Sequence, residues 1–151
     1  IAERSVERAL QTLQEAAGRG SAPAQELYAM VVVETDEEEA RRYYRMLWDS
    51  GYSWGAGGLS QLAPPVEEVS FEEQVEYEAF SYISYAITMA YYDGVDIDYV
   101  VERASELAEG QRSRENGSSI VLQQEARSLA KKLLGENRNC CVSFVTEKEP
   151  Q

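Results

Sequence analysis

The sequence contains no histidine, only two cysteines and no long apolar run. Without histidine there is no Ser–His or Cys–His nucleophile pair and no imidazole ligand for a metal. The two cysteines, Cys140 and Cys141, are adjacent, so a disulfide between them would close a strained ring. No segment approaches the roughly 20 apolar residues of a membrane span. These absences argue against histidine-dependent catalysis, a structural disulfide and membrane insertion.

Positive charge is also scarce, because 14 basic residues stand against 27 acidic ones and the formal net charge is −13. Residues 26–78 hold 13 acidic and 3 basic residues, whereas residues 111–138 hold 6 basic and 3 acidic ones. This balance disfavours direct binding of nucleic acid and fits a protein partner with a basic surface. An acidic inhibitor of a basic enzyme, such as a nucleic-acid mimic or an immunity protein, is an alternative. Acidity that serves only solubility is the simplest explanation.

Helical periodicity is what the sequence does contain. Apolar residues recur at 3.6-residue spacing, and Ser, Asp, Pro or Gly stands where these segments begin and end. Loops are expected at residues 66–71 and 109–118. The pattern predicts helices at 3–18, from Ser21 to about Val33, from Thr35 or Asp36 to Ser50, at 52–62, at 72–92, from Asp96 or Asp98 to Ala108, and at 120–134.

Two of these segments also fit a strand. The run from Met30 to Val33 is rich in β-branched residues, which favour sheets. Tyrosines alternate with other residues in 72–92. The caps that flank the first run and the repeat spacing described next favour helices in both places.

A spacing pattern recurs within the helices. An alanine is followed by large or apolar residues three and four positions later, then by others at seven and eight, and by a small residue at eleven. The copies begin at Ala9, Ala40 and Ala79, which are 31 and 39 residues apart. Such periods are typical of helical repeat arrays. We expect each alanine to lie at a contact between helices and the small residue, Gly20, Gly51 or Ala90, to allow a turn.

These copies resemble the Sel1-like repeat family, which is related to the tetratricopeptide repeats. The family signature is roughly A-x-x-W-Y-x-x-A-A-x-x-G followed by x-A-x-A-Q-x-x-L. Here Ala16-Ala17 and Gly20 lead into Ala22-Pro23-Ala24-Gln25-Glu26-Leu27, and the second copy has Tyr43-Tyr44 before Gly51. The resemblance covers roughly residues 5–134, with residues 120–134 similar to a closing helix. Trp48 and Ala90 depart from the pattern, since small residues and glycine are usual at those places.

The resemblance implies an all-α fold, namely a short α-solenoid of antiparallel helix pairs with a C-terminal capping helix. It predicts a repeat domain at 1–138 and a C-terminal tail at 139–151. It also implies an adaptor or scaffold that binds a partner protein or peptide on the helical-repeat surface, not an enzyme. No signal peptide is found in this chain and the compartment stays open, although Sel1-like proteins are often secreted or periplasmic in bacteria.

Aromatic and acidic residues are the candidates for partner binding. The chain has ten tyrosines and two tryptophans, residue types that are enriched in binding hot spots. The repeat pattern assigns Tyr43, Tyr44 and Tyr82 to the core and leaves several others free. A run of three glutamates in the acidic middle fits a basic partner. The predicted partner-binding residues are Tyr28, Glu37, Glu38, Glu39, Trp54, Tyr85, Tyr91 and Tyr92.

A metal-dependent enzyme is the third possibility. Glu72 and Glu76, or Glu73 and Glu76, would share a helix face and could hold Mg²⁺. All-α nucleotide pyrophosphohydrolases of the MazG type use such glutamate pairs, and Gly94-Val95-Asp96 is faintly similar to their second half. The second acidic pair that this chemistry needs is missing from Ser81 onward. We therefore prefer a solvated helix face, and expect no catalytic residue, no cofactor and no metal site.

Overall fold

All regular structure in residues 2–93, 96–112 and 119–136, the ranges that the computed structural model describes, is helical. A short 3₁₀ helix at Val66–Glu68 precedes the fifth α-helix. The all-α prediction is therefore confirmed for this part of the chain. The α-helices of these ranges are α1 (Ala2–Gly18), α2 (Ala22–Val32), α3 (Glu37–Asp49), α4 (Gly55–Gln61), α5 (Phe71–Asp93), α6 (Ile97–Arg112) and α7 (Ile120–Gly135).

Side-chain caps explain where three of these helices begin. A hydroxyl or carboxylate before the first turn accepts a bond from a backbone N–H that has no partner within the helix. The Ser21 hydroxyl accepts from the Ala24 amide at 3.4 Å, and the Ser119 hydroxyl caps α7 in the same way. At α3 the cap is Asp36, whose Oδ1 accepts from the Glu39 amide at 3.0 Å. The cap of α3 is therefore Asp36 and not Thr35. The segment Met30–Val32 is helical, not extended.

Several predicted boundaries were wrong. The loop at 66–71 contains the 3₁₀ helix, and α5 begins at Phe71 because Ser70 and Glu73 form a capping box. The loop at 109–118 is helical up to Arg112, and α4 begins at Gly55 instead of 52. Gly94, the rest of that loop and the predicted tail 139–151 lie outside the described residues.

The apolar core consists of two clusters that meet at α3. The smaller joins α1, α2 and α3 through Ala17, Tyr28 and Tyr43. The larger extends from Trp48 on α3 through α4, α5 and α6 to α7. Tyr44 packs against both clusters. Each helix contacts the next along the chain, and α5 also contacts α7.

The glycines of α4 permit an unusually close contact between α3 and α4. A Cβ added to Gly55 would lie 2.6 Å from the Tyr44 carbonyl oxygen and 2.7 Å from the Trp48 amide nitrogen. A Cβ on Gly58 would collide with the Tyr44 ring. The small residues here therefore let α3 and α4 approach each other closely.

The alanine that begins the recurring pattern lies at a helix contact in the second and third copies but not in the first. Ala40 and Ala79 are fully buried, as expected of helix contacts. Ala9 is exposed, because no described element covers the first turns of α1. Gly20 and Gly51 have φ of 96° and 95°, values that favour glycine and that end α1 and α3. In the third copy the corresponding residue, Ala90, lies inside α5 instead of at a turn.

Polar bonds join the last three helices. The Tyr82 hydroxyl of α5 donates to Glu109 Oε1 of α6 at 3.0 Å, and Arg127 Nη1 of α7 donates to the same oxygen at 2.8 Å. Lys131 donates to Glu102, and this bond holds the pKa of the Glu102 carboxyl below its usual value. These contacts fix α7 against α5 and α6.

Candidate protein-binding surface

One face of α2 is apolar and exposed. Leu27, Met30 and Val31 stand at positions i, i+3 and i+4, so their side chains share one side of the helix. Their exposed fractions are 42%, 46% and 44%. We call these three residues the α2 surface. Contiguous exposed apolar side chains mark interaction sites more often than scattered ones do.

The α2 surface is exposed because the other faces of α2 pack against α1 and α3. Gln25 Nε2 donates to the Ala17 carbonyl oxygen of α1 at 3.2 Å. The Tyr28 ring meets the Tyr43 ring of α3 edge-on, with centroids 4.8 Å apart. Ala29 is fully buried in the same cluster. α1 and α3 therefore cover the other sides of α2, and the α2 surface is left partly exposed.

Acidic side chains follow directly after the α2 surface. Residues 20–40 contain six acidic residues and no basic one. Four of the acidic side chains are exposed and lie between the end of α2 and the first turn of α3. Two of them, Glu37 and Glu38, also stabilise the positive end of the α3 dipole. We call this segment the acidic turn; it comprises Glu34, Asp36, Glu37 and Glu38.

Tyr28, a predicted partner-binding residue, is instead a packing residue. Only 5% of it is exposed, and its hydroxyl donates to Glu39 Oε2 at 3.1 Å. Burial, followed by the hydrogen bond to the Glu39 carboxylate, raises the pKa of Tyr28 to about 12. Glu39 also accepts from Arg42 Nη2 at 3.2 Å. The hydrogen bond between Tyr28 and Glu39 holds α2 against α3. Little of the Tyr28 ring stays exposed for contact with a partner.

Glu38 and Glu39 border a groove of mixed charge. The groove has a volume of about 570 Å³ and also contains Tyr77 of α5; its charged lining is Asp36, Glu38, Glu39, Arg41, Arg42 and Arg45. Three carboxylates and three guanidinium groups leave it without an excess of either sign. Arg41 Nε donates to the Leu62 carbonyl, and Arg45 Nη2 donates to Glu76 Oε1, both at 2.7 Å. Two residues of the acidic turn, Asp36 and Glu38, therefore share this groove with the guanidinium groups, whereas Glu34 and Glu37 do not line it.

The other predicted aromatic residues lie elsewhere. Trp54 is half-buried against the larger core, and its indole N–H has no hydrogen-bond partner in the part of the chain that the structure describes. Tyr85 is half-buried and lines a groove of about 490 Å³ with uncharged walls from α4, α5 and α6. Tyr91 and Tyr92 belong to α5, but their side chains lie outside the described part. Trp54 and Tyr85 are thus not brought together with Tyr28 and Glu39.

Two of the three carboxylates considered for Mg²⁺ have structural partners. Glu76 is paired with Arg45, and Glu73 accepts from the Ser70 hydroxyl at 3.3 Å in the capping box. Within the described ranges, no group of three or more acidic, cysteine or histidine side chains is arranged to hold a metal ion.

No helix in the described ranges is long and apolar enough to cross a membrane.

No family model, no curated protein and no solved structure matches this chain. The surface can therefore be judged only on its own chemistry.

The role of Leu27, Met30 and Val31 was not predicted from the sequence. The sequence placed Leu27 and Val31 in a helix without assigning either residue to one of its faces, and both are exposed in the structure. A signal was available, since α2 reads Ala-Pro-Ala-Gln-Glu-Leu-Tyr-Ala-Met-Val-Val and is apolar except at Gln25 and Glu26. Such a helix is normally buried all round. With only α1 and α3 as sequence neighbours, one side had to remain uncovered.

Proposed function

We propose that this chain is a protein-interaction adaptor that binds a partner protein at the α2 surface. The observation that carries this function is the row of Leu27, Met30 and Val31 on the uncovered side of α2. Burying large apolar side chains contributes roughly 1.5–3 kcal/mol each relative to full exposure. About half of that gain is still available here, because each residue is already partly covered.

The architecture that we propose for this function is a short Sel1-like solenoid of antiparallel helix pairs, closed by α7. Short links join consecutive helices, each helix contacts the next, and Gly20 and Gly51 end α1 and α3 in the same backbone conformation. α7 packs on both α5 and α6, as a closing helix would. One helix pair cannot bury its own apolar face, so stacked pairs expose the face of the last one unless something covers it.

The partner that we propose carries basic residues beside an apolar patch. The acidic turn follows the α2 surface, and its residues Glu34 and Glu37 do not line the groove that holds the guanidinium groups of Arg41, Arg42 and Arg45. Complementary charge around an apolar contact accelerates association and excludes wrong partners.

Affinity purification from the native host with matched variants tests the function. The wild-type chain is compared with the variant Leu27→Asp/Met30→Asp and with the control variant Leu107→Asp/Val121→Asp. All four substituted residues are exposed. We expect a partner that the wild type and the control capture and that the Leu27/Met30 variant loses. Equal recovery of every co-purifying protein by all three chains would contradict the function. Thermal unfolding of each variant verifies that it is folded.

A further inference from the structure

α1 extends beyond the helix on which it packs. At 1.5 Å per residue, the 17 residues of α1 span about 25 Å and the 11 residues of α2 about 16 Å. Only residues 19–21 connect them, and Gln25 bonds the Ala17 carbonyl, so the end of α1 lies beside the start of α2. The two helices then run in opposite directions. About six residues at the start of α1, close to two turns, therefore have no counterpart on α2.

An apolar stripe runs along α1 and reaches this uncovered part at Val6. Val6, Leu10, Leu13 and Ala17 stand at i, i+4, i+7 and i+11 and share one face of α1. Ala17 is fully buried, Leu13 and Leu10 are partly buried, and Val6 is 60% exposed. We call these four residues the α1 stripe. Its exposure rises toward the start of the helix, where the covering elements end.

Acidic side chains border the exposed part of the α1 stripe. Glu3 precedes Val6 by three residues and Glu7 precedes Leu10 by three, which makes each pair neighbours on the helix surface. Both glutamates are exposed, and neither has an ion-pair partner among the described residues. Arg8 is two residues from both Val6 and Leu10, so it points away from the stripe. The nearest charge that a molecule on the stripe meets is therefore negative.

We propose that the partner docks a cationic amphipathic helix on the α1 stripe, with its apolar face on Val6 and Leu10 and its basic side chains toward Glu3 and Glu7. This rests on the proposed function and names the chemistry of the partner. A stripe with helical spacing matches the ridges of another helix, which pack at 8–10 Å between axes. The acidic turn follows the end of α2, and the start of α1 projects toward that same end of α2.

Charge also selects this occupant over a second copy of the chain. A second copy would bring a further net charge of −13. In an antiparallel pair related by a two-fold axis, the same edge of each helix faces the other, so Glu3 and Glu7 would meet their own counterparts. A basic helix removes that repulsion and adds attraction.

Fluorescence anisotropy with a labelled synthetic peptide tests the docking helix. The probe is a peptide of leucine and lysine at helical spacing, and the same pattern with glutamate in place of lysine is its counterpart. Peptide binding is compared between the wild-type chain and two variants of it, Val6→Ser/Leu10→Ser and Glu3→Lys/Glu7→Lys. Controls are Val66→Ser, whose residue is 64% exposed, and Glu67→Lys/Glu68→Lys, which changes the net charge equally.

The expected result is selective loss of binding. The Val6/Leu10 and Glu3/Glu7 variants weaken binding of the lysine peptide about tenfold or more, equal to about 1.4 kcal/mol, and both controls change it less than about threefold. The glutamate peptide binds none of the chains. Binding of the wild type weakens with salt, and the Glu3/Glu7 variant depends less on salt because screening acts on those charges.

Three outcomes would overturn the docking helix. The first is equal weakening by the two charge-reversal pairs, which would show attraction to the overall charge alone. The second is unchanged binding by the Val6/Leu10 variant. The third is a wild-type dimer in light scattering that Val6→Ser/Leu10→Ser dissociates, which would make a second copy the occupant. These outcomes leave capture through the α2 surface intact, whereas partners indifferent to Leu27→Asp/Met30→Asp would contradict the proposed function instead.

Discussion

Tyr28 shows how a residue chosen as a binding candidate can have a purely structural role. Its ring is packed edge-on against the Tyr43 ring, and its hydroxyl donates a hydrogen bond to the Glu39 carboxylate. Because the ionised phenolate would face the Glu39 carboxylate in a buried place, the folded chain keeps this phenol protonated. The sequence could show that Tyr28 was outside the repeat core, but not that α3 would supply a partner for its hydroxyl.

The raised pKa of Tyr28 predicts how stability changes in alkali. The pKa is about 12 in the folded chain and 10.0 without the fold, so its contribution is complete below pH 10 and is lost as pH rises through 12. We expect Tyr28→Phe to lower the free energy of unfolding by about 1 kcal/mol at neutral pH and to reduce its fall above pH 10. Urea unfolding at several pH values measures both.

The exposed Tyr99 provides the control for this prediction. Tyr99→Phe should change neither the free energy of unfolding at neutral pH nor its fall above pH 10. If Tyr99→Phe reduces the fall above pH 10 as much as Tyr28→Phe does, Tyr28 is not bonded as described.

At the scale of elements, the contact between α3 and α4 depends on the absence of side chains at two positions. The sequence predicted a weak helix at 52–62 that only tight packing could hold, since glycine disfavours helices. In the structure Gly55 lies against the α3 backbone itself, and Gly58 lies under the Tyr44 ring. A backbone neighbour cannot move aside as a flexible side chain can, so Gly55 is the stricter of the two positions.

Gly55→Ala is therefore expected to destabilise the chain by about 1–3 kcal/mol, because the added methyl group overpacks the contact. The matched substitution Gly110→Ala, where nothing lies within 4 Å of the added Cβ, should stabilise α6 by up to about 1 kcal/mol. Thermal or urea unfolding of both variants measures the difference. Equal effects of the two substitutions would show that α4 does not lie on α3 as closely as described.

Local signals predicted most helix boundaries, because caps are read from a few adjacent residues. Ser21 caps α2 where the sequence placed a cap, and Ser119 caps α7, for which the sequence allowed either Ser118 or Ser119. The signal of Ser70 and Glu73 at the start of α5 was visible but overlooked. The extension of α6 past Gly110 was not readable, since glycine normally weakens a helix and only tertiary contacts override it. The candidate site was less predictable still. Whether Leu27 faces the core or solvent depends on which helices cover α2, and that is a property of the whole chain.

For the molecule as a whole, the two core clusters divide the chain into a first part, α1 to α3, and a longer part, α3 to α7. The longer part is cross-linked by polar bonds from Tyr82 and Arg127 to Glu109. The first part has one small cluster, an exposed apolar face on α2 and an uncovered stripe on α1. Exposed apolar side chains and exposed acidic side chains thus both lie in the first part of the chain, and there we place partner binding.

Amide hydrogen exchange of the chain with and without its captured partner tests this central claim most directly. The account predicts slower exchange in residues 3–10 and 27–38, the segments of the α1 stripe, the α2 surface and the acidic turn. It also predicts no change in residues 81–89, where Tyr85 lines the uncharged groove. Protection confined to residues 81–89 and the facing part of α6, with α1 and α2 exchanging as in the free chain, would contradict it.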